Sequence, residues 1–315
     1  LRVLNFVTRD SVSEFSGIVS MTAKGSSYDN ADGIIETNNT IYKNQDLSYN
    51  FADFEIMSSF RGKERTISIN SPDIINGEVS GQFKIVDILK LAENSVGSIY
   101  TNYVAYEVEE GQYLNFRFNI YSKIAAVFYK DLILGNNTFI EGRMETDKTG
   151  FELTFNSPEI KFQDYFANNI NVRVDNSNPL YNTFIEIDSL NTGVYNASQF
   201  SLINVTKRDT LLIKSQFKGG NNNQDNFNLN LFYTIDNDNK SVVGFIKSDV
   251  LCKGYDWFVN SEKDTLNKIR FDRQFKAFDI SPIKINQGSE EILISGAIKD
   301  SINKNIKIGF NINLI

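Results

Sequence analysis

The stretch Asp225-Asn226-Phe227-Asn228-Leu229-Asn230-Leu231-Phe232-Tyr233-Thr234-Ile235-Asp236 decides the fold. Phe227, Leu229, Leu231, Tyr233 and Ile235 alternate with Asn226, Asn228 and Asn230, so a pleated strand carries an apolar row on one face and amides on the other. That is the pattern of a half-buried antiparallel sheet. The same period of two returns in Leu114-Phe116-Phe118-Ile120, in Ile140 and Met144, in Phe151-Leu153-Phe155, in Leu211 and Ile213 running on to Phe217, and in Ile306-Ile308-Phe310-Ile312. What lies against these rows is the functional question.

Bulk properties narrow the class. The chain has 315 residues, 41% of them hydrophobic, which excludes a disordered polymer. A formal net charge of -7, with no basic cluster interleaved with aromatics, argues against nucleic acid as a partner. No apolar run reaches the length needed to cross a bilayer, and the start at Leu1 lacks the charged opening of a signal peptide. The sequence therefore reads as an interior segment of a longer protein. The single cysteine, Cys252, cannot form an internal disulfide and reads as a buried small hydrophobe.

Only four prolines, against many Asn, Asp and Gly punctuators, favour an all-β meander. Strands are predicted along most of the chain, including Phe15 to Ala23, Asp46 to Ser58, Asn102 to Glu109, Tyr113 to Ser122, Ile124 to Tyr129, Gly150 to Asn156 and Thr210 to Phe217. One short helix is predicted from Val86 to Ser95, because Ile85, Ile88, Leu89, Ala92, Val96 and Ile99 recur at three- and four-residue steps. It is placed on one end or rim of the sheet. Asn70-Ser71-Pro72-Asp73-Ile74 is echoed by Asn156-Ser157-Pro158-Glu159-Ile160, each read as closing one strand and opening the next. No linker-like stretch interrupts the pattern, so residues 1–315 read as a single elongated β unit.

Little in the sequence points to covalent chemistry. With no histidine, the commonest general base, the usual triad partner and the commonest catalytic zinc ligand are all missing. Glu107, Glu109 and Glu110 form the densest acidic group, which reads as a solvated strand face and turn before Gly111 rather than a glycosidase pair. Asp236-Asn237-Asp238-Asn239 opens like a calcium loop, but Lys240 and Ser241 stand where a ligand and the sharp-turn glycine are needed, so it reads as a hairpin. Gly219-Gly220-Asn221-Asn222-Asn223 precedes no helix and reads as a hairpin rather than a phosphate cradle. Neither an enzyme activity, a metal nor a cofactor is expected.

From Asp209 onward the segments Asp209-Thr210-Leu211, Phe217-Lys218-Gly219-Gly220, Asp225 to Asn230, Ser241-Val242-Val243-Gly244, Lys247-Ser248-Asp249, Trp257-Phe258-Val259-Asn260, Ile269-Arg270-Phe271-Asp272 and Glu290 to Gly296 follow a familiar order. Gly77 to Phe83, followed by the short helix, adds to it. This order resembles the interior to C-terminal part of TamB-like translocation and assembly module proteins, of the AsmA-like superfamily in its Bacteroidota form. The resemblance implies a curled antiparallel sheet forming a C-shaped apolar trough, a β-taco, in a periplasmic bridge. Such a bridge is anchored in the inner membrane, through a segment absent here, and meets an Omp85-type, TamA-like barrel at the outer membrane. It further implies that phospholipid acyl chains travel along the trough. The lining residues would be Leu114, Phe116, Phe118, Ile120, Ile140, Met144, Phe151, Leu153, Phe155, Leu211, Ile213, Phe217, Phe227, Leu229, Leu231, Ile235, Ile306, Ile308, Phe310 and Ile312.

Two alternatives stay open at this level. Alternation by itself favours rows that face a second sheet and close a sandwich core, and it is the family resemblance that favours the trough. The same family resemblance also admits a scaffold that assists assembly of outer-membrane β-barrels by strand addition. Separately, Asp10-Ser11-Val12, Asp188-Ser189-Leu190, Asp209-Thr210-Leu211, Asp264-Thr265-Leu266 and Asp300-Ser301-Ile302 resemble acceptor triplets for O-glycosylation, although each also reads as a turn-to-strand start.

Overall fold

The computed structural model describes residues 14–44, 47–99, 103–146, 150–272 and 275–299. The predicted strand at Ile306 to Ile312 and the triplets at Asp10 and Asp300 lie outside the described residues. The chain divides into two compact units, Leu1–Val96 with Ala105–Ser177 and Gly97–Val104 with Asn178–Ile315. Both are all-β, and every strand pairing described in them is antiparallel.

In the first unit the strands are β1 (Glu14–Lys24), β2 (Asp32–Lys43), β3 (Ser48–Phe51), β4 (Phe54–Arg61), β5 (Glu64–Asn70) and β6 (Ile75–Gln82), then helix α1 (Ile88–Gly97) and β7 (Tyr113–Ile120). Helix α2 (Ser122–Phe128) follows, with β8 (Leu132–Leu134), β9 (Phe139–Glu145), β10 (Phe151–Phe162) and β11 (Tyr165–Asp175). The ladder runs β1-β2-β4-β5-β6-β7-β9-β10-β11, each strand beside its predecessor. Strand β3 prolongs the line of β4 along β2, and β8 prolongs β9 along β10.

The second unit continues the meander as β12 (Thr183–Asn191), β13 (Asn196–Lys207), β14 (Thr210–Gly219), β15 (Asp225–Ile235), β16 (Ser241–Phe245) and β17 (Ser248–Cys252). Strands β18 (Tyr255–Val259), β19 (Lys268–Phe271), β20 (Ala277–Gln287) and β21 (Glu290–Lys299) complete it. Here β16 and β17 share the flank of β15, while β19 and β18 share that of β20. Tight hairpins join most neighbours. At the β17–β18 turn both central residues, Lys253 and Gly254, have positive φ, as a turn matched to strand twist requires.

Three local predictions are corrected. Ile124 to Tyr129 is not a strand: Ile124 to Phe128 belong to α2 and Tyr129 caps it, since Ala125 and Ala126 favour helix and Ala125 is the residue the helix buries. Residues 103–109 form no strand; Tyr106 is instead held by the side chain of Asn94, whose amide oxygen accepts its backbone N–H at 2.8 Å. The Ser-Pro echo is not a structural repeat. Ser71 closes β5 and its hydroxyl accepts the Ile74 N–H at 3.1 Å, whereas Ser157 lies inside β10, where the partner changes from β9 to β8. The predicted helix at Val86 to Ser95 is present, shifted by two residues and preceded by a 3-10 turn over Ile85–Asp87.

Buried serines mark the breaks along β10 and β15, whereas buried Asn260 and Asn267 hold the break between β18 and β19 along β20. Ser157 Oγ shares a 2.7 Å hydrogen bond with Thr138 Oγ1, and Ser248 Oγ accepts the Asn230 N–H at 2.8 Å where β16 gives way to β17. All three serines, 71, 157 and 248, are completely buried. A hydroxyl is small enough to enter the break and supplies the hydrogen bonds that the interrupted ladder lacks.

Candidate functional site

Register decides which side chains share a face, because residues directly opposite in an antiparallel pair project to the same side. In the first unit Leu114, Phe116, Phe118 and Ile120 stand opposite Gly81, Val79, Gly77 and Ile75 of β6. On the other flank Leu114, Phe116 and Phe118 meet Met144, Gly142 and Ile140 of β9, which meet Phe151, Leu153 and Phe155 of β10. Followed outward, the same face takes in Val174 and Val172 of β11, Ile67 and Ile69 of β5, Ile56 of β4, Ile35 of β2 and Met21 of β1. The opposite face of β7 and β9 is polar, with Arg117 donating to Glu141 at 2.7 Å. An apolar face thus crosses nine hydrogen-bonded strands.

Burial along that face is uneven. The row at one end is sealed: Leu114 and Phe151 are each 2% exposed, and Met144 and Arg65 are also buried. Helix α1 is tied down at this end. The Gln112 side chain accepts the Lys84 N–H at 2.7 Å and donates to Asp87 at 2.9 Å, and the Asp29 carboxylate accepts the Ile85 N–H at 2.7 Å. At the other end α2 is anchored by Tyr49, whose hydroxyl donates to the Ala126 carbonyl at 2.9 Å, and by Lys123, which reaches Asp73 and the Asn50 carbonyl. Between these ends Phe116, Phe118, Leu153 and Phe155 are only half-buried. A closed core would seal such side chains almost completely.

Arg65 is the charged residue of the sealed end. Its Nε donates to Ser58 Oγ at 3.0 Å and its Nη2 to the Ala31 carbonyl at 3.2 Å, while the guanidinium lies 5.2 Å from the Phe60 ring centre. Burial holds its pKa below the usual arginine value, with the nearby Asp29 charge partly opposing. These neutral acceptors fix Arg65 as a structural strut.

The second unit repeats the two-faced plan. Leu211, Ile213 and Phe217 of β14 oppose Tyr233, Leu231 and Phe227 of β15, Leu229 faces Ser215, and Ile235 faces Ser241. The rings of Phe217 and Phe227 stack with centres 4.4 Å apart, and Phe200 of β13 adds a third ring 6.0 Å from Phe217. Leu211, Ser215 and Ser241 are buried, and the other named members of this row are half-buried. Asn204, directly opposite Ile213, is a buried polar member whose Oδ1 has no partner among the described residues. The row ends at Asp225, which is buried and accepts the Tyr195 hydroxyl at 2.7 Å and the Lys253 N–H at 2.8 Å.

Register brings together the predicted lining residues of each unit, on one face apiece, within the described part of the chain. It adds residues that the sequence pattern did not single out: Ile56, Ile67 and Val79 on short strands, and Val243, Ile269 and Trp257 on strands broken into halves. Their segments are too short for alternation to stand out; hairpin spacing was the available signal.

The acidic candidates are occupied otherwise. Glu109 is ion-paired with Lys84, and Glu107 and Glu110 are exposed. Asp236 and Asp238 both hold Arg270, and Asp236 also accepts the Lys240 N–H at 3.0 Å, so this turn is a braced hairpin between β15 and β16. No cluster of three metal-ligating side chains occurs among the described residues. Gly219 to Asn223 is likewise the β14–β15 hairpin. Cys252 is half-buried opposite Tyr255. Of the triplets within the described residues, Thr265 is exposed in the β18–β19 connection, whereas Ser189 and Thr210 lie within strands.

No helix among the described residues is long and apolar enough to cross a membrane. Comparison with protein-family models, curated proteins and solved structures finds no match to this chain.

Proposed function

We propose that the chain is a segment of a TamB-like periplasmic bridge whose apolar faces carry phospholipid acyl chains between the inner and outer membranes of a diderm bacterium. An Omp85-type barrel is its partner at the outer membrane, and no covalent chemistry is involved. The observation that carries this reading is the apolar face of the first unit, sealed in the row of Leu114, Met144 and Phe151 at one end and half-exposed along Phe116, Phe118, Leu153 and Phe155. A phospholipid with two acyl chains exposes roughly thirty methylenes in water at about 0.8 kcal/mol each, so a dry strip that runs across many strands offsets most of a ~25 kcal/mol barrier. Such a strip binds without directional polar contacts, which lets chains slide.

Photocrosslinking probes at Phe116, Leu153 and Leu229 test it, together with Phe116→Arg and Leu229→Glu. The expected outcome is acyl-chain adducts from all three probes, and loss of lipid capture in both charge variants with each fold intact at a cost of less than about 2 kcal/mol. Global unfolding of the charge variants would place the row in a closed core. Adducts with unfolded barrel polypeptide instead of lipid would favour the assembly-scaffold reading.

A further inference from the structure

The side of the first unit's sheet that faces away from the apolar row carries a line of side chains that strand formation does not explain. Asn70 of β5 stands opposite Asn76 of β6, and Asn76 opposite Asn119 of β7. Asn119 stands opposite Phe139 of β9, Phe139 opposite Asn156 of β10, and Asn156 opposite Asn171 of β11. Directly opposed residues project to one side, so five amides and one phenyl ring line up across six neighbouring strands. Asparagine is depleted in strands, and its recurrence at matched positions is not a demand of the sheet. Nor does the line close on itself as a hydrogen-bonded amide ladder does. Asn76 Nδ2 donates to Asn70 Oδ1 at 3.3 Å and Asn171 Oδ1 accepts the Arg173 Nε–H at 3.1 Å, but the side chains of Asn119 and Asn156 have no hydrogen-bond partner among the described residues. The outer face of the second unit differs: there Asn228 accepts from Gln216 and Asn230 donates to the Lys247 carbonyl, each at 2.8 Å.

The chemistry of the line selects its ligand. No member from Asn70 to Asn171 carries a formal charge, and Arg117 beside it is paired with Glu141 at 2.7 Å, so charge complementarity calls for an uncharged partner. Each amide offers a donor and an acceptor together, as a sugar hydroxyl does. Phe139, near the middle, is half-buried and held by the Arg117 guanidinium 5.2 Å from its ring centre. It is a fixed apolar plate of the kind against which the C–H face of a pyranose packs. Six strands at about 4.8 Å spacing span about 24 Å, and the sugars of an extended β-linked glycan follow one another at about the strand interval. We infer that this line is a binding track for an uncharged β-linked glycan laid across the strands. Phe139 lies under a central sugar, and Asn119 and Asn156 take hydroxyls of the sugars on either side. An extended peptide would gain no strand pairing here, because the line lies on the face of the sheet and not at its edge. The track uses the side away from the lipid-carrying face, goes beyond that reading and stands or falls separately from it.

The test titrates the whole chain, by calorimetry, with the β-linked hexamers of glucose and of N-acetylglucosamine, and with the α-linked glucose hexamer as control. At least one β-linked hexamer is expected to bind, and the α-linked hexamer, whose chain coils, to bind about tenfold more weakly or less. Asn119→Asp combined with Asn156→Asp keeps the shape of both side chains and exchanges their amide donors for charge. This double variant is expected to unfold in urea as wild type does and to bind the β-linked hexamer about tenfold more weakly. Phe139→Leu keeps the position apolar without the ring and is expected to lose a similar factor. A folded wild type that binds neither β-linked hexamer at millimolar concentration, one that binds the α-linked hexamer equally well, or folded variants that bind as wild type does would each overturn the track. Retention of an uncharged extended peptide with no glycan bound would appear as the first of these.

Discussion

At the scale of single residues, polar groups pin the apolar faces and define where they end. Asp225 closes the second unit's row, and its carboxyl is held below the usual carboxylate range first by the Lys253 N–H and then by the Tyr195 hydroxyl. Burial first, and then the same carboxylate, raises the Tyr195 hydroxyl above its ordinary value. A carboxyl whose folded pKa is depressed adds stability that is present above its unfolded pKa, near 3.9, and is lost as pH falls through the lower folded value. Urea unfolding at pH 7 and at about pH 3 is therefore expected to show a larger acid-induced loss for wild type than for Asp225→Asn. Equal losses in both proteins would show that Asp225 is uncoupled from folding.

At the scale of elements, strand spacing depends on a few residues without side chains. Gly77 of β6 has φ of +153, and a Cβ there would collide with the Arg117 carbonyl oxygen of β7. Gly142 of β9 is covered by the Phe116 ring, which takes the place its own side chain would fill. Gly77→Ala combines backbone strain with a cross-strand clash, so a loss of roughly 2 kcal/mol or more is expected in chemical denaturation. A variant as stable as wild type would show that β6 and β7 can separate without cost. The helices follow a related logic. Residues 122–128 interleave Ile124 and Val127 with Ala125 and Ala126, and a strand reading weighed the β-branched pair too heavily.

At the scale of the whole molecule, each of two units presents one apolar and one largely polar side, and the apolar rows are mostly half-buried. Purified chain extracted with organic solvent is expected to release phospholipid in roughly stoichiometric amount, less in Phe116→Arg, as mass spectrometry of the extract can read. Lipid-free protein from a membrane-containing source would count against the carrying role. The helices of the first unit are pinned by contacts between residues far apart in sequence: Gln112 holds the turn that precedes α1, and Tyr49 spans 77 residues to Ala126 in α2.

The amino-acid sequence alone determined the all-β class, the location of one helix and the main apolar rows. Period-two alternation is a local property, imposed by the pleat on any strand long enough to show it, as in Phe227 to Ile235. Only the tertiary structure decided that Ile124 to Phe128 coils, that strand lines break at buried Ser157 and Ser248, and that Phe116 stays half-exposed while Leu114, two residues away, is sealed. Those outcomes depend on what is laid over each position by distant parts of the chain, and alternation carries no information about coverage.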